Sequence, residues 1–164
     1  MDAVTVRMLT SGDWAQLKAA RLAALADAPY AFASTLAREE QFADDLWRDR
    51  AGAGRTFGGW QNDALVGLVT GFPLDDADGW HLVGMWVAPG VRGQGLADRL
   101  VRAICDLARA SDSATMTLWV TDGNDRARAF YQRLGFTPTG SRQKLERAPA
   151  APDLWEDEMA LPLR

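Results

Sequence analysis

The hydrophobic period changes at residue 55, and that change constrains the fold more than any other feature of the chain. Upstream, Val4–Met8 alternates like a short strand. Ser11 can then cap a helix carrying Trp14, Leu17 and Leu25 that stops before Pro29, and a second helix is expected over 38–51. From 55 the pattern becomes that of strands: 55–60 and 64–72 pair as a hairpin through the turn-forming Gln61-Asn62-Asp63, and a third apolar run, 81–87, ends at Pro89. The order then becomes helix, strand, helix. Leu96, Leu100, Ile104 and Leu107 or Ala108 recur at helical spacing, and 115–120 returns to a strand. Ala127, Phe130, Tyr131 and Leu134 form a second helical stripe closed by Gly135, and 154–161 reads as a last strand. An antiparallel hairpin followed by strand-helix-strand predicts a mixed sheet with helices packed on it, an α+β or α/β sandwich. The right-handed crossover rule lays the helix at 95–109 over a sheet face.

Composition narrows the function. With 164 residues, 48% apolar and 24% charged, the chain is expected to form one domain, 1–164, and the Pro-rich stretch 148–152 is not read as a boundary. The longest apolar run is the five residues 22–26, which argues against a membrane span or a secretory leader and for a cytoplasmic protein. A formal charge of −4 offers no global cationic field, so nucleic acid is not an expected partner. A lone cysteine, Cys105, and a lone histidine, His81, exclude an internal disulfide and a Cys/His zinc site, and no metal is expected. No Gly-x-Ser-x-Gly elbow provides a serine nucleophile. Cys105 reads as a small buried hydrophobe, and the seven tryptophans as core or cleft walls.

The stretch that carries chemistry is Ala88-Pro89-Gly90-Val91-Arg92-Gly93-Gln94-Gly95-Leu96-Ala97, between the strand ending at Val87 and the next helix. Glycines at 93 and 95 permit backbone torsions that side chains forbid, and the helix that follows points unpaired N–H groups outward at its positive end. This is a phosphate cradle to which Arg92 can add a charge-assisted contact. Net negative charge is no obstacle, because distant charges are screened beyond roughly 8 Å at physiological salt. Neither Lys18 nor Lys144 follows a glycine, so the turn is not a P-loop. A dinucleotide fingerprint starting at Gly93 would need a small residue where Asp98 stands, and that match is broken too.

What remains, Arg-x-x-Gly-x-Ala at Arg92, Gly95 and Ala97, resembles the pyrophosphate loop of the GNAT superfamily of acyl-CoA-dependent N-acyltransferases. Met85-Trp86-Val87-Ala88-Pro89 resembles the superfamily's fourth strand. Asn124, Ala127, Phe130-Tyr131 and Leu134-Gly135-Phe136 resemble its second signature, and Glu158-Met159 falls in the expected last strand. The two motifs span 81–136, about a third of the chain. The resemblance implies a mixed, mostly antiparallel sheet of about six to seven strands flanked by about four helices. It also implies transfer of an acyl group, usually acetyl, from acetyl-CoA to a primary amine in a ternary complex. A coenzyme-binding module without turnover, serving as a sensor or partner domain, is the alternative.

The cofactor contacts implied by the resemblance are Met85, Trp86, Val87, Arg92, Gly93, Gln94, Gly95, Leu96, Ala97, Asn124 and Tyr131. Phe130 and Leu134 read as core. By position alone Tyr131 would be core as well and Asn124 a helix cap. The resemblance makes Tyr131 the donor to the leaving sulfur and Asn124 a pantetheine contact, with a backbone N–H around 85–87 stabilising the carbonyl oxygen. A base is needed, since an alkylamine with a pKa near 10 is only about one part in two thousand neutral at pH 7. His81 is the candidate, on one strand face with Val83 and Met85, and Glu39, Glu40 and Glu158 are its rivals. The acceptor pocket is expected from 29–50 and 140–155, where Glu39, Glu40, Asp44 and Asp45 can attract a cation or form a solvated face. The acceptor's identity stays open. A homodimer is common among similar proteins, although no heptad or patch in the sequence supports one.

Overall fold

The computed structural model describes residues 3–75, 78–145 and 154–164; the Pro-rich stretch 148–152 lies outside the described residues. Seven strands, β1 (Val4–Met8), β2 (Thr56–Gln61), β3 (Ala64–Pro73), β4 (Gly79–Val87), β5 (Thr115–Thr121), β6 (Thr137–Lys144) and β7 (Trp155–Pro162), form one sheet in the order β1-β2-β3-β4-β5-β7-β6. All neighbours are antiparallel except β4 and β5, the pair joined by a helical crossover. The expected mixed, mostly antiparallel α+β sandwich is therefore what the chain forms.

The helices are α1 (Trp14–Asp27), α2 (Leu36–Glu39), α3 (Asp44–Gly52), α4 (Leu96–Ala110) and α5 (Asp125–Arg133). Two details depart from the sequence reading. Ser11 does not cap α1: it lies inside a short 3-10 turn that is closed when the Asp13 carboxylate accepts from the Thr10 N–H at 2.8 Å. The single helix expected over 38–51 is two. Thr35 caps α2 by accepting from the Arg38 N–H at 3.2 Å, and α3 restarts with Asp44 and Asp45 at its positive end.

Apolar clusters fill both faces of the sheet. Leu17, Ala24, Leu25 and Trp47 from α1 and α3 pack with Trp60, Leu68 and Trp86, while the α4 stripe Leu96, Leu100, Ile104 and Cys105 packs with Tyr131, Leu118 and Val120. Cys105 is buried, as expected, and burial pushes its thiol up to about 11, which keeps it unreactive. Phe130 and Leu134 are half-buried against the same cluster.

α4 lies close to the sheet because small residues face it. A Cβ at Gly67 would stand 2.9 Å from the Leu96 side chain and 3.3 Å from the Trp86 carbonyl oxygen. This seat sets where the first turn of α4 sits, and with it the glycine turn just before.

Candidate active site

β4 and β5 pair at only three positions, Gly79 with Thr115, Trp80 with Met116 and His81 with Thr117, although both strands run further. They part toward their carboxyl ends, where crevices in sheets with parallel strands hold ligands. The parting coincides with a bulge. Thr70 lies opposite Val83 but Leu68 opposite Trp86, so β4 carries one residue more than β3 in between, and Gly84 takes a φ of +65° that a side chain would resist.

The bulge overturns one expectation. His81, Val83 and Met85 do not share a face, because the extra residue inverts the alternation. Trp86 joins the cluster under α1 and α3, while Met85 packs on the side of α4 and α5. The Trp86 indole N–H donates to Asp27 at 3.1 Å, so this side chain is committed away from the parting and leaves its main chain as what it can offer a ligand.

Two cavities meet at the parting. The larger, about 690 Å3, lies between the sheet and α1–α3; the smaller, about 90 Å3, opens through the strands toward Asn124 and Tyr131. Phe32, Leu82, Val83, Gly84 and Trp119 line both, so the two cavities share a wall at the parting.

At the head of α4, Gly93 and Gly95 adopt φ of +78° and +85°, and Gly95 is the left-handed N-cap. The first-turn amides have no carbonyl a turn earlier to bind, and a Cβ at either glycine would meet nothing within 4 Å. The turn is thus an open concavity of donors, which suits an anionic oxygen group. Leu96 itself is buried; its main chain opens the helix. Arg92 is already engaged, its Nη2 on Asp27 at 2.5 Å and its Nε on the Val87 carbonyl at 2.9 Å, which ties the turn to the ends of α1 and β4. Asp98, one turn in, is neutralised by a two-bond pair with Arg133 that holds its carboxyl below the usual range.

Tyr131 and Asn124 line the smaller cavity. The Tyr131 ring lies 5.0 Å from Phe130 and 5.6 Å, edge-on, from Phe136, and burial pushes its phenol well above the ordinary value. Asn124 caps α5 by accepting from the Ala127 N–H at 3.2 Å, which uses its oxygen and leaves its amide NH2 outside the cap.

His81 lines the larger cavity, 9% exposed, with Nδ1 2.8 Å from the Thr117 hydroxyl. Burial lowers its pKa below 6.5, opposed in part by the charge of Glu158, so the ring is neutral at pH 7. Among the rival bases, Glu39 is buried but forms a two-bond pair with Arg21 at 3.0 Å. Burial alone would raise its carboxyl, and the pair with Arg21 outweighs that and lowers it. Glu40 is exposed on the surface, and Glu158 accepts from the Thr139 hydroxyl at 2.8 Å. Sequence reasoning missed Glu156, a buried carboxylate on the larger cavity that accepts from Gln143 at 2.6 Å. The alternation of β7, which puts Glu156 on the face of Glu158, was the available signal.

This fold is shared with solved acetyltransferase structures. The Salmonella typhimurium protein yncA, described as an acetyltransferase with its cofactor acetyl-CoA, superposes with a TM-score of 0.79 at 20% identity, covering 99% of this chain and 95% of that one. The ribosomal-protein-S18-alanine N-acetyltransferase of Escherichia coli superposes with a TM-score of 0.72 at 20% identity, covering 98% and 94%. The class is thus that of an acetyltransferase fold. Residues 20–136 match the model of the Acetyltransferase (GNAT) family, and the chain belongs to that family, whose reaction is acetyl transfer from acetyl-CoA. A mycothiol acetyltransferase from Beutenbergia cavernae is 36% identical over 123 residues, a match spanning 66% of this chain but only 38% of that relative's length. Among the described residues no helix is long and apolar enough to cross a membrane.

Proposed function

We propose that this chain transfers the acetyl group of acetyl-CoA to a primary amine held in the larger cavity, by direct attack in a ternary complex. The supporting observations are the parting of β4 and β5, which borders a cavity large enough for a small acceptor, and the open amide concavity of the glycine turn that follows β4. Acetyl-CoA supplies an activated acetyl thioester. The N–H groups of Gly93, Gln94, Gly95, Leu96 and Ala97 hold its diphosphate; Arg92 braces their turn through Asp27 and Val87. Met85, Val87, the Trp86 main chain, Asn124 and Tyr131 border the path of its arm.

In the larger cavity Glu156 draws the ammonium, and neutral His81 takes its proton directly or through one water. The amine nitrogen bonds to the carbonyl carbon. Main-chain N–H groups freed at the Gly84–Met85 bulge stabilise the carbonyl oxygen as it gains charge. The carbon–sulfur bond breaks with its electron pair on sulfur, to which the Tyr131 hydroxyl donates a hydrogen bond. The nitrogen loses its second proton, which reaches the sulfur through water; the products are the acetamide and the free thiol, and the proton taken by His81 is released to solvent. Burial makes the phenol a poor acid, so its contribution is hydrogen bonding, with no requirement that the proton cross over.

A thermal-shift titration with acetyl-CoA, followed by thiol release in the presence of amines, tests this. Saturation at 100 times Kd should stabilise the fold by about 2.7 kcal/mol. No stabilisation, or NADH stabilising better than acetyl-CoA, overturns the reading, and binding without thiol release from any amine supports the non-catalytic alternative.

A further inference from the structure

The wall of the larger cavity has an excess of positive charge that the fold does not use. Four arginines, Arg21, Arg38, Arg50 and Arg55, line it against two carboxylates, Glu39 and Glu156. Of the four acidic helix residues expected to attract a cation three are spent: Arg21 takes Glu39 in two bonds, Lys18 takes Asp44 at 3.2 Å and Arg48 takes Asp45 at 2.8 Å, while Glu40 is exposed and does not line the cavity. Arg50 reaches Glu39 only at 3.9 Å, beyond hydrogen-bonding distance, and its guanidinium rests on the rings of Phe42 and Trp47 at 4.9 and 5.4 Å. Arg38 stacks on the same Phe42 at 5.8 Å.

Beside them stands a second, independent deficit. Trp47 is fully buried and lines the cavity, yet its indole N–H has no acceptor among the described residues. A buried donor without an acceptor costs about 1–3 kcal/mol, and such sites call for a ligand or ordered water. Apart from Glu39, which Arg21 already pairs, the charged groups on this wall are arginines, and the Trp47 indole N–H is a donor as well. The complement is an anionic, oxygen-rich group.

We propose that the acceptor is an amine that also carries such a group, a carboxylate in the first instance, seated by Arg50 and Arg38 with the Trp47 indole N–H. The inference rests on the acetyl-transfer reading above and names its acceptor class. The two ends of the acceptor then meet opposite environments: the ammonium faces Glu156 and His81, and the anion faces the α2–α3 wall.

The test is a panel of α-amino acids, each paired with its C-terminal amide and its decarboxylated amine, assayed by thiol release with acetyl-CoA. The amide's amine is less basic and so more available at neutral pH; a preference for the acid must come from binding. The acids should exceed their amides at least tenfold in kcat/KM. The variant R50M should lower kcat/KM for the acids ten- to a hundredfold and collapse the acid-over-amide ratio, R50K should restore part of it, and R38M should act in the same direction. Glu39 keeps its two-bond partner Arg21 in R50M, and acetyl-CoA-induced stabilisation confirms that each variant is folded. Amides or plain amines reacting as well as the acids, a ratio unmoved in both variants, or no acid reacting while acetyl-CoA binds overturns the inference and leaves acetyl-CoA binding intact. Loss of acetyl-CoA binding by the wild-type chain would instead remove the functional reading beneath it.

Discussion

Replacing Tyr131 by Phe removes one oxygen from a ring that the fold holds by its faces and edges. The ring is 7% exposed and packed against Phe130 and Phe136, and no hydrogen bond to its hydroxyl is made by another described residue. Deleting the hydroxyl therefore breaks no internal bond, and stability should change by less than about 1 kcal/mol. Turnover is another matter. A hydrogen bond to a group that carries charge is worth about 1.5–3 kcal/mol, and at 1.36 kcal/mol per decade that is a loss of roughly 10- to 150-fold in kcat. The assay is thiol release at saturating acetyl-CoA, with coenzyme affinity measured separately by calorimetry and expected to stay within about twofold. Burial keeps the phenol protonated, so neither the wild type nor the variant should show an inflection from it up to about pH 10. A kcat within threefold of wild type, in a folded variant that binds acetyl-CoA normally, would refute the reasoning and return Tyr131 to the core.

Three further outcomes are expected. Since burial lowers the His81 pKa, the acid limb of kcat/KM should fall below pH 6.5, where the ring protonates and can no longer accept a proton; H81A should lose that limb and about 10²-fold in rate, and an unchanged profile would exclude the histidine. Gly67→Ala places a Cβ 2.9 Å from Leu96 with the Trp86 carbonyl behind it. It should cost about 1–3 kcal/mol in urea melts and weaken acetyl-CoA binding by shifting the start of α4. Arg7 holds the Asp13 carboxyl down at about 2 through a hydrogen-bonded pair, against an ordinary value of 3.8. A depressed carboxylate stabilises the fold above its unfolded pKa and loses that contribution as pH falls through the folded one, so D13N should flatten stability between about pH 4 and 2 and show a loss above that window.

Much of the architecture was legible in the sequence because it is encoded in neighbours. The α4 stripe, the 55–72 hairpin and the β5 alternation each bury one face, and one-sided burial writes a period into the chain. β6 was missed as a strand because all eight of its residues are exposed and it pairs only with β7, so nothing selects an alternation. The division of 38–51 into α2 and α3 turned on where the chain reverses over the α1 face, which propensity does not report. The Gly84 bulge reads as one more residue in step, and only pairing with β3 reveals that Met85 has changed sides.

The sequence by itself determined the turn before α4, since two left-handed conformations one residue apart and a free helix start are local demands that Gly93 and Gly95 meet whatever surrounds them. It also placed Asn124, Tyr131 and His81 on the elements that carry them. Tertiary structure alone decided the charge of the larger cavity. Counted along the chain, Glu39, Glu40, Asp44 and Asp45 look acidic. Folded, Lys18, Arg21 and Arg48 cancel three of them across or along helices, while Arg38 and Arg50 are left facing the cavity wall. Electrostatic character at a site depends on which charges find partners at a few ångströms, and that distance is set by packing between distant segments.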